Sequence, residues 1–252
     1  MTKRVRCVEP KWAIEEWSPA VSAYAKALAF VRDCCGAVQK SLIPSHTMVL
    51  TLAEALSGEV NRADLNKDLE RWFWASCFSQ TLAQGANTQV VSDTRALRAW
   101  KATPAAVPDV VKNFKPDLEA LQDARRRNEI LVRAIACRLI KVGVKDWTSA
   151  TQPLSGPKDP IELHHIFAEK YLANMGTDEP DIEANLTPIL ASTNQSLRNE
   201  PPNTVTVRTD IVRSSVEEHR VDWDLFSAAK WNEFLEDRAK TLATLMAEAV
   251  GR

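Results

Sequence analysis

The 252-residue sequence predicts a mainly α protein. It divides into a helical bundle over residues 1–145, a linker over 146–160, and a small α+β unit over 161–252 that closes with a helix. Three observations carry this reading. Glycine is scarce, at 7, and apolar residues recur at helical spacing through most of the first 145 positions. Residues 146–160, DWTSATQPLSGPKDP, concentrate Pro, Ser, Thr and Gly, the composition of a domain boundary. Two extended runs, IELHHIF at 161–167 and NLTPIL at 185–190, then precede a short helical stretch, ASTNQSL.

Taken in order, residues 12–40 read as a long helix, with Val21, Tyr24, Leu28, Val31 and Val38 on one face. Ser18-Pro19 looks like a cap followed by proline at the first helical position, so the regular part is expected to begin there. His46 to Leu56 follows, with Ser45 as N-cap and Gly58 near the C-cap. A third helix covers 62–83. Its Trp72, Phe73, Trp74 and Phe78 read as core rather than as a base-stacking platform, because they recur at helical spacing. A fourth helix covers 89–101, and a fifth runs from Pro116 to Lys141. On the fifth, Arg125, Arg126 and Arg127 form either a solvated face or a phosphate contact. Beyond the extended runs, VTVRTDI at 205–211 alternates like a strand, although a helix start there is the other reading. Residues 225–249 form an amphipathic helix that buries Phe226, Trp231, Phe234, Leu235, Leu242, Leu245 and Met246.

Composition narrows the function. No apolar run approaches the ~20 residues of a membrane span, and the first residues lack a signal-peptide core. Five cysteines without a Cys-x-x-Cys pair indicate neither a zinc knuckle nor a disulfide framework, and fit a reducing cytoplasm. Residues 1–150 carry 22 Lys and Arg against 16 Asp and Glu, a net of +6; residues 151–252 carry 10 against 17, a net of −7. If the protein holds a polyanion, the first part is the expected grip.

The chemistry concentrates in 161–203. Two of the four histidines, His164 and His165, are adjacent, and on a strand they point to opposite faces. One can then hold a metal while the other reaches a nucleophilic water. Asn185 follows 20 residues after His165, and Asn194 nine residues later. The expected arrangement is a hairpin packed on a helix that presents Asn194 back toward the strands. His46 and His219 are expected to be structural.

The segments HHIF, ANLTPIL and STNQSLRNEPP, in that order, resemble the HNH or ββα-metal endonuclease superfamily. The resemblance is greatest to the C-terminal nuclease region of GmrSD-type modification-dependent restriction enzymes and related anti-phage nucleases. LIPSHTMVLTLAEAL and WFWASCFSQTL, at 42–56 and 72–82, are similar to the helical region that precedes that nuclease. The resemblance implies His165 as general base and Asn185 as the central asparagine that holds the loop and orients that base. It implies His164 and Asn194 as metal ligands, with Mg²⁺ as the cofactor and Mn²⁺ or another divalent ion as a substitute. Arg198, one turn past Asn194, is a candidate phosphate contact. Ala168 stands where the group usually has Pro, and Gln195 where it has Arg or Lys. The implied function is a cytoplasmic, metal-dependent endonuclease that nicks DNA in restriction or anti-phage defence; a homodimer or repeated nicking would be needed to cut both strands. The group's N-terminal ParB-like sensor has no counterpart in this chain, which implies a fragment or a separate polypeptide. The alternative reading is a non-catalytic DNA- or partner-binding module with a degenerate HNH fold.

Overall fold

In the computed structural model of the chain, residues 10–58, 63–79, 86–122, 129–156, 159–177 and 180–252 are described. They are mainly helical, with one antiparallel sheet of two strands. Arg125, Arg126 and Arg127 lie outside the described residues.

The first part is built from α1 (Pro10–Asp33), α2 (His46–Ala55), α3 (Leu65–Phe78), α4 (Ala86–Ala102), α5 (Asp109–Lys112) and α6 (Glu129–Lys141). Helix α1 packs on α2, α2 on α4, and α3 on both α5 and α6. Trp72, Phe73, Trp74 and Phe78 of α3 are all buried; Trp74 stacks on Phe78 with centroids 5.5 Å apart and meets Phe73 edge-on at 5.1 Å. These rings are core, and no base can reach them.

The second part begins with strand β1 (Ile161–His165), followed by α7 (Glu169–Asn174), a 3₁₀ turn (Glu183–Asn185), strand β2 (Leu186–Leu190) and α8 (Ala191–Leu197). Short helices α9 (Pro202–Val205), α10 (Arg213–Glu218) and α11 (Trp223–Ser227) lead to α12 (Trp231–Val250). Strands β1 and β2 pair with His164 opposite Thr187 and His165 opposite Leu186. Pro188 fits because a two-stranded sheet leaves each strand an outer edge that needs no ladder donor. Helix α11 is capped by Asp222, whose carboxylate accepts from the Leu225 N–H at 2.8 Å. Helix α12 ends on Gly251 in the left-handed conformation.

Several expectations are corrected. Helix α1 passes through Pro19 instead of starting there, ends at Asp33 rather than near residue 40, and lacks one rung at the proline. Of the helix expected over Pro116–Lys141, Glu129–Lys141 is helical and residues 118–122 form turns, while residues 123–128 lie outside the described residues. Residues 205–211 are not a strand. Pro201-Pro202 starts α9, with Pro202 supplying the fixed φ of a first helical turn, and Val207 is exposed.

The segment expected as a linker carries buried residues among those described. Asp146, Trp147 and Leu154 are buried, and Lys145 bridges to Pro153. The buried hydrophobic residues form two clusters that meet around this segment. One runs from Ala27 to Ile161 and resumes with Ala239, Leu242, Leu245, Met246 and Val250 of α12. The other joins Trp147, Phe167, Ile189 and Phe226 to Trp231, Phe234 and Leu235 of the same helix. Helix α12 therefore closes both cores.

Candidate functional site

The hairpin that carries the two histidines is held from three sides. On the helical side, the Gln39 amide pairs with the backbone of Ile161, donating to its carbonyl at 2.6 Å and accepting from its N–H at 2.9 Å. Below, the guanidinium of Arg238, fully buried on α12, donates to the carbonyls of Ala184, Leu186 and His219. Burial pushes its pKa down to about 9, so it remains charged at neutral pH. At the far end, the buried Asp146 carboxylate accepts from the Leu190 N–H at 2.8 Å, the Thr193 hydroxyl at 2.7 Å, and the N–H and hydroxyl of Thr148. Asp146 thereby sets the start of α8 against the end of β2. Asp159 caps α8, accepting from the Ser192 N–H at 2.9 Å, and hydrogen bonding to the Ser192 side chain first and its N–H second draws its carboxyl below the usual range.

His164 and His165 point to opposite faces, as strand alternation requires. The His164 ring is buried and meets the edge of Trp147 at 5.2 Å. Its Nδ1–H donates to the Asn194 side-chain oxygen at 2.8 Å. Burial lowers its pKa to about 4, so the ring is neutral at pH 7, the form that can donate a lone pair to a metal. The Asn194 amide donates in turn to the Glu162 carboxylate at 2.7 Å. Glu162 is exposed, which leaves this row open to solvent.

On the other face, His165 is half-buried, and its Nε2–H donates to the Asp181 carboxylate at 2.9 Å. That contact leaves Nδ1 as the nitrogen with a lone pair. Asn185 is wholly buried and touches neither histidine ring through a hydrogen bond. Its oxygen accepts from the Phe167 N–H at 2.8 Å, and its nitrogen donates to the carbonyls of Phe167 and Pro180, each at 3.0 Å. One amide thus ties the chain just after His165 to the chain just before Asp181. It places His165 and its carboxylate partner without a hydrogen bond to either side chain.

Of the sequence-derived candidates, His164 and Asn194 touch, His165 lies on the adjoining face, and Asn185 is a buried clamp. Arg198 is exposed at the end of α8 with φ 50°, a conformation that costs a non-glycine residue about 1–3 kcal/mol. Ala168 holds φ −57° and ψ 139°, so the turn keeps a proline-like shape without the proline. His46 is exposed. His219 is buried, donating from Nε2 to the Lys145 carbonyl at 2.7 Å and accepting at Nδ1 from the Thr187 hydroxyl at 2.7 Å.

Sequence reading missed Glu162, Asp181 and Asp146. Glu162 was visible in principle, because it lies two residues before His164 and shares its strand face. Asp181 and Asp146 have no local signal, since both reach the site through loops. Among the described residues, no cluster of three or more His, Cys, Asp or Glu is arranged to hold a metal. A cation here would therefore draw on the Asn194 amide. A neutral imidazole and an amide oxygen are donors that a divalent cation accepts. His164 Nδ1 and the Asn194 oxygen stand 2.8 Å apart, so a cation taking both would need the imidazole proton on Nε2 rather than on Nδ1. No described helix is long and apolar enough to cross a membrane. Compared with known proteins, the chain matches no family model and no curated protein.

Proposed function

We propose that the protein is a metal-dependent phosphodiester hydrolase of the HNH type that nicks DNA. The observation that carries this reading is the meeting of His164 on β1 with Asn194 on α8, with His165 next in sequence on the opposite face and paired to a carboxylate. A hairpin followed at once by a helix, with a donor from each converging, is the arrangement a one-metal site on a ββα frame requires.

In this reading His165 takes a proton from the attacking water at Nδ1, while Asp181 holds the opposite nitrogen and stabilises the imidazolium that forms. Asn185 keeps both in register through the backbone. His164 and Asn194 hold the divalent cation, Mg²⁺ or Mn²⁺. When bound, the cation supplies charge stabilisation at the scissile phosphate and the leaving oxygen. Arg198 stands one turn beyond Asn194, exposed and able to reach a phosphate. A single site cuts one strand, so cleavage of both requires a homodimer or repeated nicking. The substrate, the role in restriction or anti-phage defence, the cytoplasmic setting and the need for a separate ParB-like sensor follow from the sequence resemblance.

Supercoiled plasmid incubated with and without Mg²⁺ or Mn²⁺ tests this. Nicked circles are expected only with metal, and His165→Ala is expected to reduce the rate by about 10²–10⁴-fold. Equal rates for parent and variant would rule out His165 as the base.

A second reading, a non-catalytic binding module, is favoured by the carboxylates of Glu162 and Asp181 at the site, which repel a polyanion unless a cation intervenes. Metal-independent binding of a protein partner that survives His165→Ala would support it.

A further inference from the structure

We propose that Glu162 is the third protein ligand of the cation at this site, completing a set of carboxylate, imidazole and amide. This rests on the metal-site reading above and goes further, because it names a residue that the resemblance does not assign.

Three placements support it. Glu162 and His164 are two apart on β1, so their side chains leave the same face of the strand. Asn194 reaches that face from α8 and touches both, the Glu162 carboxylate at 2.7 Å and the His164 ring at 2.8 Å. Without a cation, the three groups form one continuous hydrogen-bonded row. Such a row brings three potential ligand groups together at low entropic cost, because Asp146 and Asp159 already fix the start of α8. The other carboxylates set against that helix are engaged elsewhere, Asp159 with the Ser192 N–H and Asp146 with the Leu190 N–H and the Thr193 hydroxyl.

Charge gives the reason for a third ligand. His164 and Asn194 are neutral donors. A neutral pair holds a hard divalent ion weakly. A carboxylate raises affinity for Mg²⁺ and Mn²⁺ and shifts preference away from the softer ions that imidazole alone suits. Glu162 supplies that negative charge from two residues earlier. Its exposure leaves the outer positions of the ion to water and to phosphate oxygens, as Mg²⁺ prefers.

The test is Mn²⁺ binding to the full chain, read from the electron paramagnetic resonance signal of the free ion, which needs no turnover. The parent, Glu162→Gln and Asn194→Ala are titrated side by side. Gln keeps the shape and can still accept the Asn194 hydrogen bond, so only the charge is removed. Glu162→Gln is expected to weaken Mn²⁺ binding by about tenfold or more, with Asn194→Ala also weakened. Parent-like affinity in Glu162→Gln, with binding weakened only in Asn194→Ala, would remove Glu162 from the ligand set and leave the metal site standing. Absence of Mn²⁺ binding in the parent would overturn the metal site and this assignment together.

Discussion

His219 and His164 are two imidazoles put to different uses by their surroundings. Each is buried and has its pKa lowered to about 4, by burial above all, with the Arg238 guanidinium contributing to the shift of His219. The Lys145 carbonyl, Asp146 and Glu218 pull the other way without restoring it. His219 is bonded at both ring nitrogens and braces the hairpin from Thr187 to Lys145. Among the described residues, His164 makes one such bond, to a residue that is itself half-exposed. A depressed histidine pKa has a stability consequence. Below pH 6.5 the unfolded chain binds a proton that the folded chain refuses until about pH 4. The stabilisation from a neutral, buried His219 is therefore complete above pH 6.5 and is lost as the pH falls toward 4. Its size is on the order of a few kcal/mol. Denaturant midpoints measured at pH 7, 5.5 and 4.5 should fall steadily in the parent. In His219→Gln they should fall less steeply, with the remaining slope due in part to His164.

At the scale of elements, the helices that sequence periodicity identified are present where one face is continuously apolar. Helices α2, α3, α4 and α8 lie close to their expected positions. Boundaries moved where backbone chemistry competes with periodicity. Pro201-Pro202 draws the following residues into a helical turn despite their alternation, and residues 118–122 turn, with Asp117 accepting from the Ala120 N–H. The junction of α1 and α6 shows a constraint of another kind. Gly36, at φ +74°, lies against α6 so closely that a Cβ would stand 2.3 Å from the Cys137 carbonyl oxygen and 3.0 Å from the Lys141 nitrogen. Gly36→Ala adds left-handed strain to that collision. It should cost about 2–5 kcal/mol in chemical denaturation. Gly143→Ala, also at positive φ but with open space around it, should show the strain alone.

For the whole molecule, α12 is the element on which the most depends. Its first turns fill the core around Phe167 and Trp147, and its later turns fill the core around Trp72 and Leu52. Between them sits Arg238, whose guanidinium satisfies the carbonyls of Ala184, Leu186 and His219 and, among the described residues, pairs with no carboxylate. Arg238→Met leaves those carbonyls without their donor and should cost at least about 3 kcal/mol. Because both cores share the helix, the loss should appear as one cooperative transition at lower denaturant. Two separated transitions would mean that the parts fold independently.

The sequence by itself determined the helical class, the hairpin-then-helix order of 161–197, the opposite facing of His164 and His165, and the approach of Asn194. Each of these depends on local periodicity or on spacing along one short stretch. Tertiary structure decided what those residues are bonded to. Asp181 reaches His165 through a loop, Asp146 joins β2 to α8 from a segment that reads as a linker, and Arg238 meets the hairpin from the final helix. A hydrogen bond between positions tens of residues apart leaves no period in the chain, because its partners are chosen by the packing of elements and not by the spacing within one.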